Sequence, residues 1–248
     1  MASHSDRKWT AATAALAAAS LGLVATTPGS ASAAAARRPF PQHVTYQVGV
    51  MPSVPASARE AAVTGLRRDT AHDWNKVVKR TEAVIGEFTR AYSPSGGLLS
   101  DFVVNADSTS PQPAPSDYRE SQPDNIVGYN SIRMPWHLGT DALLYGSATT
   151  SLATAKKESA CLKGESGGDP QKVHPHTKLN CTPYSTSDQA EEAEDAAGPS
   201  AMAAGDQGWT DTIGKYLGSN PFGDGYHGET IKTPVTIVMA GDYWSPAN

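Results

Sequence analysis

Apolar positions along the chain recur mostly at helical spacing. Between Ser57 and Tyr92 there is no proline, and Trp74, Val77, Val78, Thr81, Ile85, Phe88 and Tyr92 fall on one helical face. Ser57 is a suitable N-cap, while Gly65 and Gly86 weaken the run, so it reads equally as one helix or two. Ser93-Pro94-Ser95-Gly96-Gly97 stops it, and Ser108–Pro123, with four prolines, reads as a long irregular loop. In Tyr129–Gly146, Pro135 suits a first helical turn, and Trp136, Leu138, Leu143 and Leu144 supply apolar surface. Ser147–Pro199 reads as a second long loop, holding both cysteines and the acidic run Glu191, Glu192, Glu194, Asp195, a solvated face or helix start. Met202, Trp209, Ile213, Tyr216 and Leu217 make a further helical face, ended by Gly218. Val235–Met239 is ambiguous: its β-branched residues favour a strand, whereas its spacing to Ile231 and Trp244 permits a helix.

Two other stretches divide the chain. Met1–Ala33 opens with Arg7 and Lys8, runs through an Ala/Leu/Val segment and ends at Ala31-Ser32-Ala33, the pattern of a secretory signal peptide. A membrane anchor needs about 20 apolar residues; this run is rich in Ala and Thr and is followed by Pro28. The expectation is therefore a signal peptide over 1–33, a single domain over 34–248, and a secreted, extracellular product. Ala34–Pro55, with Pro39, Pro41, Pro52 and Pro55, reads as an extended arm.

Secretion changes the meaning of the two cysteines. Cys161 and Cys181, 20 positions apart, can close a disulfide outside the cell; two separate thiols are the alternative. His174 and His176 lack metal-ligand spacing, so no metal and no cofactor is expected. The composition, 18% charged and 39% hydrophobic with a formal charge of -5, is that of a globular domain. No Lys/Arg cluster exceeds two residues in a row, which sets aside nucleic acid and, once the signal is removed, membranes as partners.

Candidate chemistry concentrates between Tyr118 and Trp136. Within 19 residues the chain carries the carboxylates Glu120 and Asp124, the arginines Arg119 and Arg133, and the aromatics Tyr118, Tyr129 and Trp136. A carbohydrate site needs those three things: aromatic faces for sugar rings, polar groups for hydroxyls, and carboxylates for proton transfer. Spacing alone leaves a structural alternative open, with Trp136 and Tyr129 in the core and Arg133 paired with Asp141 or Glu120.

Gly128-Tyr129-Asn130-Ser131-Ile132-Arg133-Met134-Pro135-Trp136-His137-Leu138-Gly139-Thr140-Asp141 closely resembles the Tyr-Asp/Asn-x-x-Arg-x-Pro-Trp-Arg-x-x-x-Asp motif of glycoside hydrolase family 8. Three further pieces agree in order: Pro39–Tyr46, Gly97–Val103 with its Gly-Leu-x-x-Asp-Phe, and Met239–Pro246. The resemblance implies an all-α (α/α)6 toroid with helical structure at Val235–Trp244, and an inverting, endo-acting hydrolase of chitosan or a β-glucan that works as a monomer. It also implies active-site loops at Ser108–Tyr129 and Leu162–Tyr184, with Tyr129, Arg133, Trp136 and Tyr184 lining sugar subsites. Many relatives have an aspartate base where Asn130 stands; the chitosanase and lichenase group has asparagine there and takes its base from a glutamate of the preceding loop, which Glu120 matches. An amide cannot accept a proton at useful pH, so Asn130, with Asp124, would orient the water that Glu120 deprotonates.

The family's general-acid segment, Ser-Glu-Gly-x-Gly-Tyr-Gly, has no counterpart before Gly97, and the toroid is expected to be incomplete. Glu60, Glu82 and Glu87 are the nearby glutamates, and each reads more simply as an exposed helix residue. The rival expectation is thus a glycan-binding remnant without catalysis; a third is an internally deleted product that cannot close its ring.

Overall fold

The helix announced by the apolar spacing begins at Trp74 because Asp73 caps it, its side chain accepting from the Lys76 N–H at 3.3 Å. This is a computed structural model, which describes residues 73–120, 123–146, 148–187, 191–220 and 226–243. The expected signal peptide, the proline arm, Ser57, Glu60, Gly65 and Trp244 lie outside the described residues. Helix α1 (Trp74–Tyr92) passes through Gly86 without a break and ends where the Ser93 N–H bonds the Thr89 carbonyl. A short antiparallel pair, β1 (Val103–Val104) and β2 (Gln112–Pro113), is the small strand content of the described residues. A 3-10 turn at Ser131–Arg133 leads into α2 (Met134–Leu144), with Pro135 in its first turn.

Beyond α2 the chain departs from the sequence expectation. Ser147–Pro199 is not one long loop: it contains α3 (Thr149–Glu165) and the start of α4 (Glu191–Ala204), which runs through Pro199. Helix α3 buries Ser151, Thr154, Ala155, Ser159 and Cys161, small side chains that produce no apolar stripe in the sequence. Gly198-Pro199 reads as a break, yet packing holds the helix there. A Cβ on Gly139 of α2 would lie 2.4 Å from the Pro199 carbonyl carbon, and one on Gly198 would lie 2.2 Å from Met239 Sδ. The two glycines allow the closest approach between helices, and tertiary contact overrides local propensity.

Nor is the face from Met202 to Leu217 a single helix. Gly205, at φ +73°, ends α4, and Asp206 caps α5 (Gln207–Ser219) by accepting from the Trp209 N–H at 3.0 Å; Gly218 lies inside α5 rather than ending it. The ambiguous Val235–Met239 segment is helical, within α6 (Tyr226–Ala240).

The architecture is all-α and toroid-like, with helices packed on helices. Helix α4 lies against α2, α3, α5 and α6, and Ala196, Ala197, Ser200 and Ala201 are wholly buried. Trp209, Ile213, Val235 and Met239 pack around it in the main core. A second cluster, Ile85, Phe88, Leu99, Leu138 and Ala155, joins α1 to α2 and α3. The segment that leaves α1 therefore passes directly over α3: Gly97, at φ +67°, leaves its would-be Cβ 2.9 Å from both Lys157 Cβ and the Thr154 carbonyl oxygen. After three buried residues, Leu98, Leu99 and Ser100, it delivers Asp101 to the site.

Candidate active site

Asp101 is the residue on which the first loop is built. Its N–H bonds the Ile126 carbonyl at 2.8 Å, and the Phe102 N–H bonds that of Asp124 at 3.3 Å, so the loop runs alongside residues 101–102. One carboxylate oxygen, Oδ1, accepts from the N–H groups of Gly128 (2.8 Å), Asn130 (3.2 Å) and Ser131 (2.8 Å), and from the Ser131 hydroxyl (2.8 Å). Gly128 must be glycine at this approach, because a Cβ there would stand 2.4 Å from Asp101 Oδ2.

The three residues expected to do the chemistry lie within this arrangement. Asn130 Nδ2 donates to Glu120 Oε1 at 3.2 Å and reaches Asp101 Oδ2 at 3.5 Å. Glu120 and Asn130 are both half-buried, open enough to meet a ligand. Asp124 is wholly buried. Its Oδ2 accepts from the backbone N–H groups of Arg119 (2.6 Å) and Glu120 (3.1 Å), so it fixes the turn that presents Glu120. Arg133 Nε donates to the Asn130 carbonyl at 3.3 Å; among the described residues it closes no ion pair with Glu120 or Asp141.

A second loop meets the first. Its expected start at Leu162 is still helical, since α3 continues to Glu165. Beyond that it is tied down at four points. The disulfide Cys161–Cys181 joins it to α3. The Ser93 hydroxyl donates to the Leu179 carbonyl at 2.7 Å while accepting from the Leu98 N–H at 2.9 Å. Thr177 and Val127 exchange backbone hydrogen bonds of 3.0 and 3.3 Å. Glu165 accepts from the His174 N–H at 3.2 Å and the Thr177 hydroxyl at 3.1 Å. Burial pushes the Glu165 carboxyl up to about 7, against the opposing pull of those two hydrogen bonds.

His176 links the loops. Its ring meets the Tyr129 ring edge-on at 4.8 Å, and its carbonyl accepts from the Tyr184 N–H at 2.9 Å. Tyr129 and Tyr184 are 38% and 53% exposed, leaving aromatic surface for a ligand. Trp136 differs: it is half-buried against the main core and stacks on His137 at 4.2 Å. Asp101 and His176 were not singled out from the sequence as site residues. The Gly-Leu-x-x-Asp-Phe piece contains the signal for Asp101; nothing in the sequence marks His176.

The described glutamates nearest the expected acid position have other surroundings. Glu87 faces Arg80 at 3.7 Å. Glu82 lines a groove of about 250 Å³ between α1 and α2 together with His137 and Asp141. Among the described residues no group of three or more His, Cys, Asp or Glu side chains is placed to hold a metal ion, and no helix is long and apolar enough to cross a membrane.

The chain matches no family profile. It is 33% identical over 174 residues to a protein named Beta-glucanase from Niallia circulans, an alignment covering 69% of this chain and 41% of that protein. It is 25% identical over 174 residues to an Endoglucanase from Bacillus sp. (strain KSM-330), covering 70% and 36%. The apo structure of a Beta-1,3-1,4-glucanase from Paenibacillus sp.X4 superposes with a TM-score of 0.68 at 28% identity, covering 76% of this chain and 49% of that one. In sequence and in fold, then, the chain is similar to bacterial glucanases and spans less than half the length of each.

Proposed function

We propose that this chain is a secreted, endo-acting hydrolase of β-1,4-linked glycans, a shortened relative of glycoside hydrolase family 8 that acts with inversion on chitosan or a β-glucan. The observation that carries the reading is the hydrogen bond from Asn130 Nδ2 to Glu120 Oε1, at the meeting of two loops that expose Tyr129 and Tyr184. Glu120 takes a proton from the water that attacks the anomeric carbon. Asn130, unable to take that proton, holds the carboxylate in place and presents its own carbonyl oxygen to the water. Asp124, being buried, acts through the backbone of the Arg119–Glu120 turn rather than on the water itself. Tyr129 and Tyr184 stack on sugar rings, Arg133 steadies the Asn130 turn and reaches sugar hydroxyls, and Trp136 closes the subsite from the core side. No cofactor enters the reaction.

A second reading, a glycan-binding remnant that does not cleave, is favoured by the lack of a general-acid segment before Gly97 and by the pairing of Glu87 with Arg80, which leave the leaving-group proton without an assigned donor. Reducing-end release from chitosan, lichenan and carboxymethylcellulose decides between them. The hydrolase reading expects turnover that Glu120→Gln lowers by about 10² to 10⁴. A protein that binds oligosaccharide and leaves it intact is the remnant.

A further inference from the structure

An asparagine at the start of a helix ordinarily turns its side chain back onto the N–H groups of the first turn. Asn130 occupies that position before the Ser131–Arg133 turn and makes no such bond. The Ile132 N–H, a donor it would have served, bonds the Gly128 carbonyl at 2.9 Å, while Asp101 Oδ1 holds the rest of the turn through the N–H groups of Gly128, Asn130 and Ser131 and the Ser131 hydroxyl. Relieved of capping, the Asn130 amide is available for something else, and it is found on Glu120.

The same carboxylate also decides how that amide is turned. Asn130 Nδ2 stands 3.5 Å from Asp101 Oδ2 and 3.2 Å from Glu120 Oε1. Both are acceptors only, so the NH₂ group, which has two protons, faces them and the carbonyl oxygen faces away. We infer that Asp101 is a positioning residue of the catalytic apparatus: by holding the backbone of the Gly128–Ser131 turn through one carboxylate oxygen and one proton of the Asn130 amide through the other, it aims the second amide proton at Glu120. The inference rests on the hydrolase reading for its kinetic consequence, but the geometry it asserts can be tested without turnover.

Asp101→Asn is the informative change, because the new side chain keeps an acceptor oxygen for the three N–H groups while placing a second NH₂ against that of Asn130. Two donors face to face turn the Asn130 amide over and bring its carbonyl oxygen onto the Glu120 carboxylate. In solution NMR the Asn130 side-chain amide signals, assigned by their loss in Asn130→Ala, are expected to be slow to exchange in the parent and to lose that protection in Asp101→Asn, while the backbone amides of Gly128 and Ser131 keep theirs. In kinetics, Asp101→Asn is expected to lower kcat about 10- to 100-fold with KM within about threefold. Added to Asn130→Ala it should lower kcat no further, the coupling of residues that act as one unit. Unchanged Asn130 side-chain signals in Asp101→Asn overturn the inference, as do kinetic losses that multiply independently in the double variant. Should the parent cleave nothing, the hydrolase reading falls, and the NMR comparison alone still decides the role of Asp101.

Discussion

Glu165 has no exposed side-chain surface, and its carboxyl holds a proton up to about pH 7 instead of its ordinary 4.5. The folded chain therefore binds one proton more than the unfolded chain between those values, so stability falls as pH rises through that window. The full difference is about 3 kcal/mol by the pKa span. Glu165→Gln keeps an acceptor for the His174 N–H and a partner for the Thr177 hydroxyl but cannot ionise. Urea melts of parent and variant at pH 4.5, 6 and 8 are expected to coincide most closely at pH 4.5 and to diverge progressively up to about pH 7, with the variant the more stable at pH 6 and 8. A parent whose stability is flat across this range contradicts the assignment. Glu120, Asn130 and Asp124 were singled out in the sequence by the family resemblance, and they lie within eleven residues of one another. Glu165 and His176 could not, since their importance comes from burial and from contacts that no local pattern encodes.

At the scale of the element, helices with a conventional apolar face were legible and those without one were not. Helix α1 alternates its apolar residues at three and four, and α5 does the same behind a capping aspartate. Helices α3 and α4 contact neighbours on several sides through Ala, Ser, Thr and Gly, so their sequences resemble loops. Gly139 shows what that packing costs to disturb. Its replacement by alanine drives a methyl group to 2.4 Å from the backbone at Pro199 and Ser200, which cannot yield as a side-chain tip would. Gly139→Ala is expected to destabilise by about 1 to 3 kcal/mol, the range for overpacking, whereas Gly86→Ala, with open space around it, should stabilise α1 by about 0.5 to 1 kcal/mol. Thermal melts of the two variants read opposite shifts; shifts of the same sign would refute the packing argument.

For the whole molecule, the site depends on loops gathered from distant parts of the sequence. Cys161–Cys181 is the covalent link between α3 and the second loop. The chain-entropy estimate for a closed loop of this size is about 3 kcal/mol. Reduction, or the paired change of Cys161 and Cys181 to alanine, is expected to lower unfolding stability by that order and to raise KM for oligosaccharide more than it lowers kcat, because Tyr184 loses its footing; equal melts before and after reduction would speak against it. Another of the ties, Ser93 to Leu179, spans 86 positions. It is a weak bond over a great separation, and it has a consequence for the order of events as the chain folds. Contacts so far apart in sequence form after local ones, since closing the intervening chain costs entropy before any bond repays it. The helices can gather around α4 while the two loops are still apart, so the junction of the loops around Glu120 and Tyr184 is the last part of the folding chain to take shape.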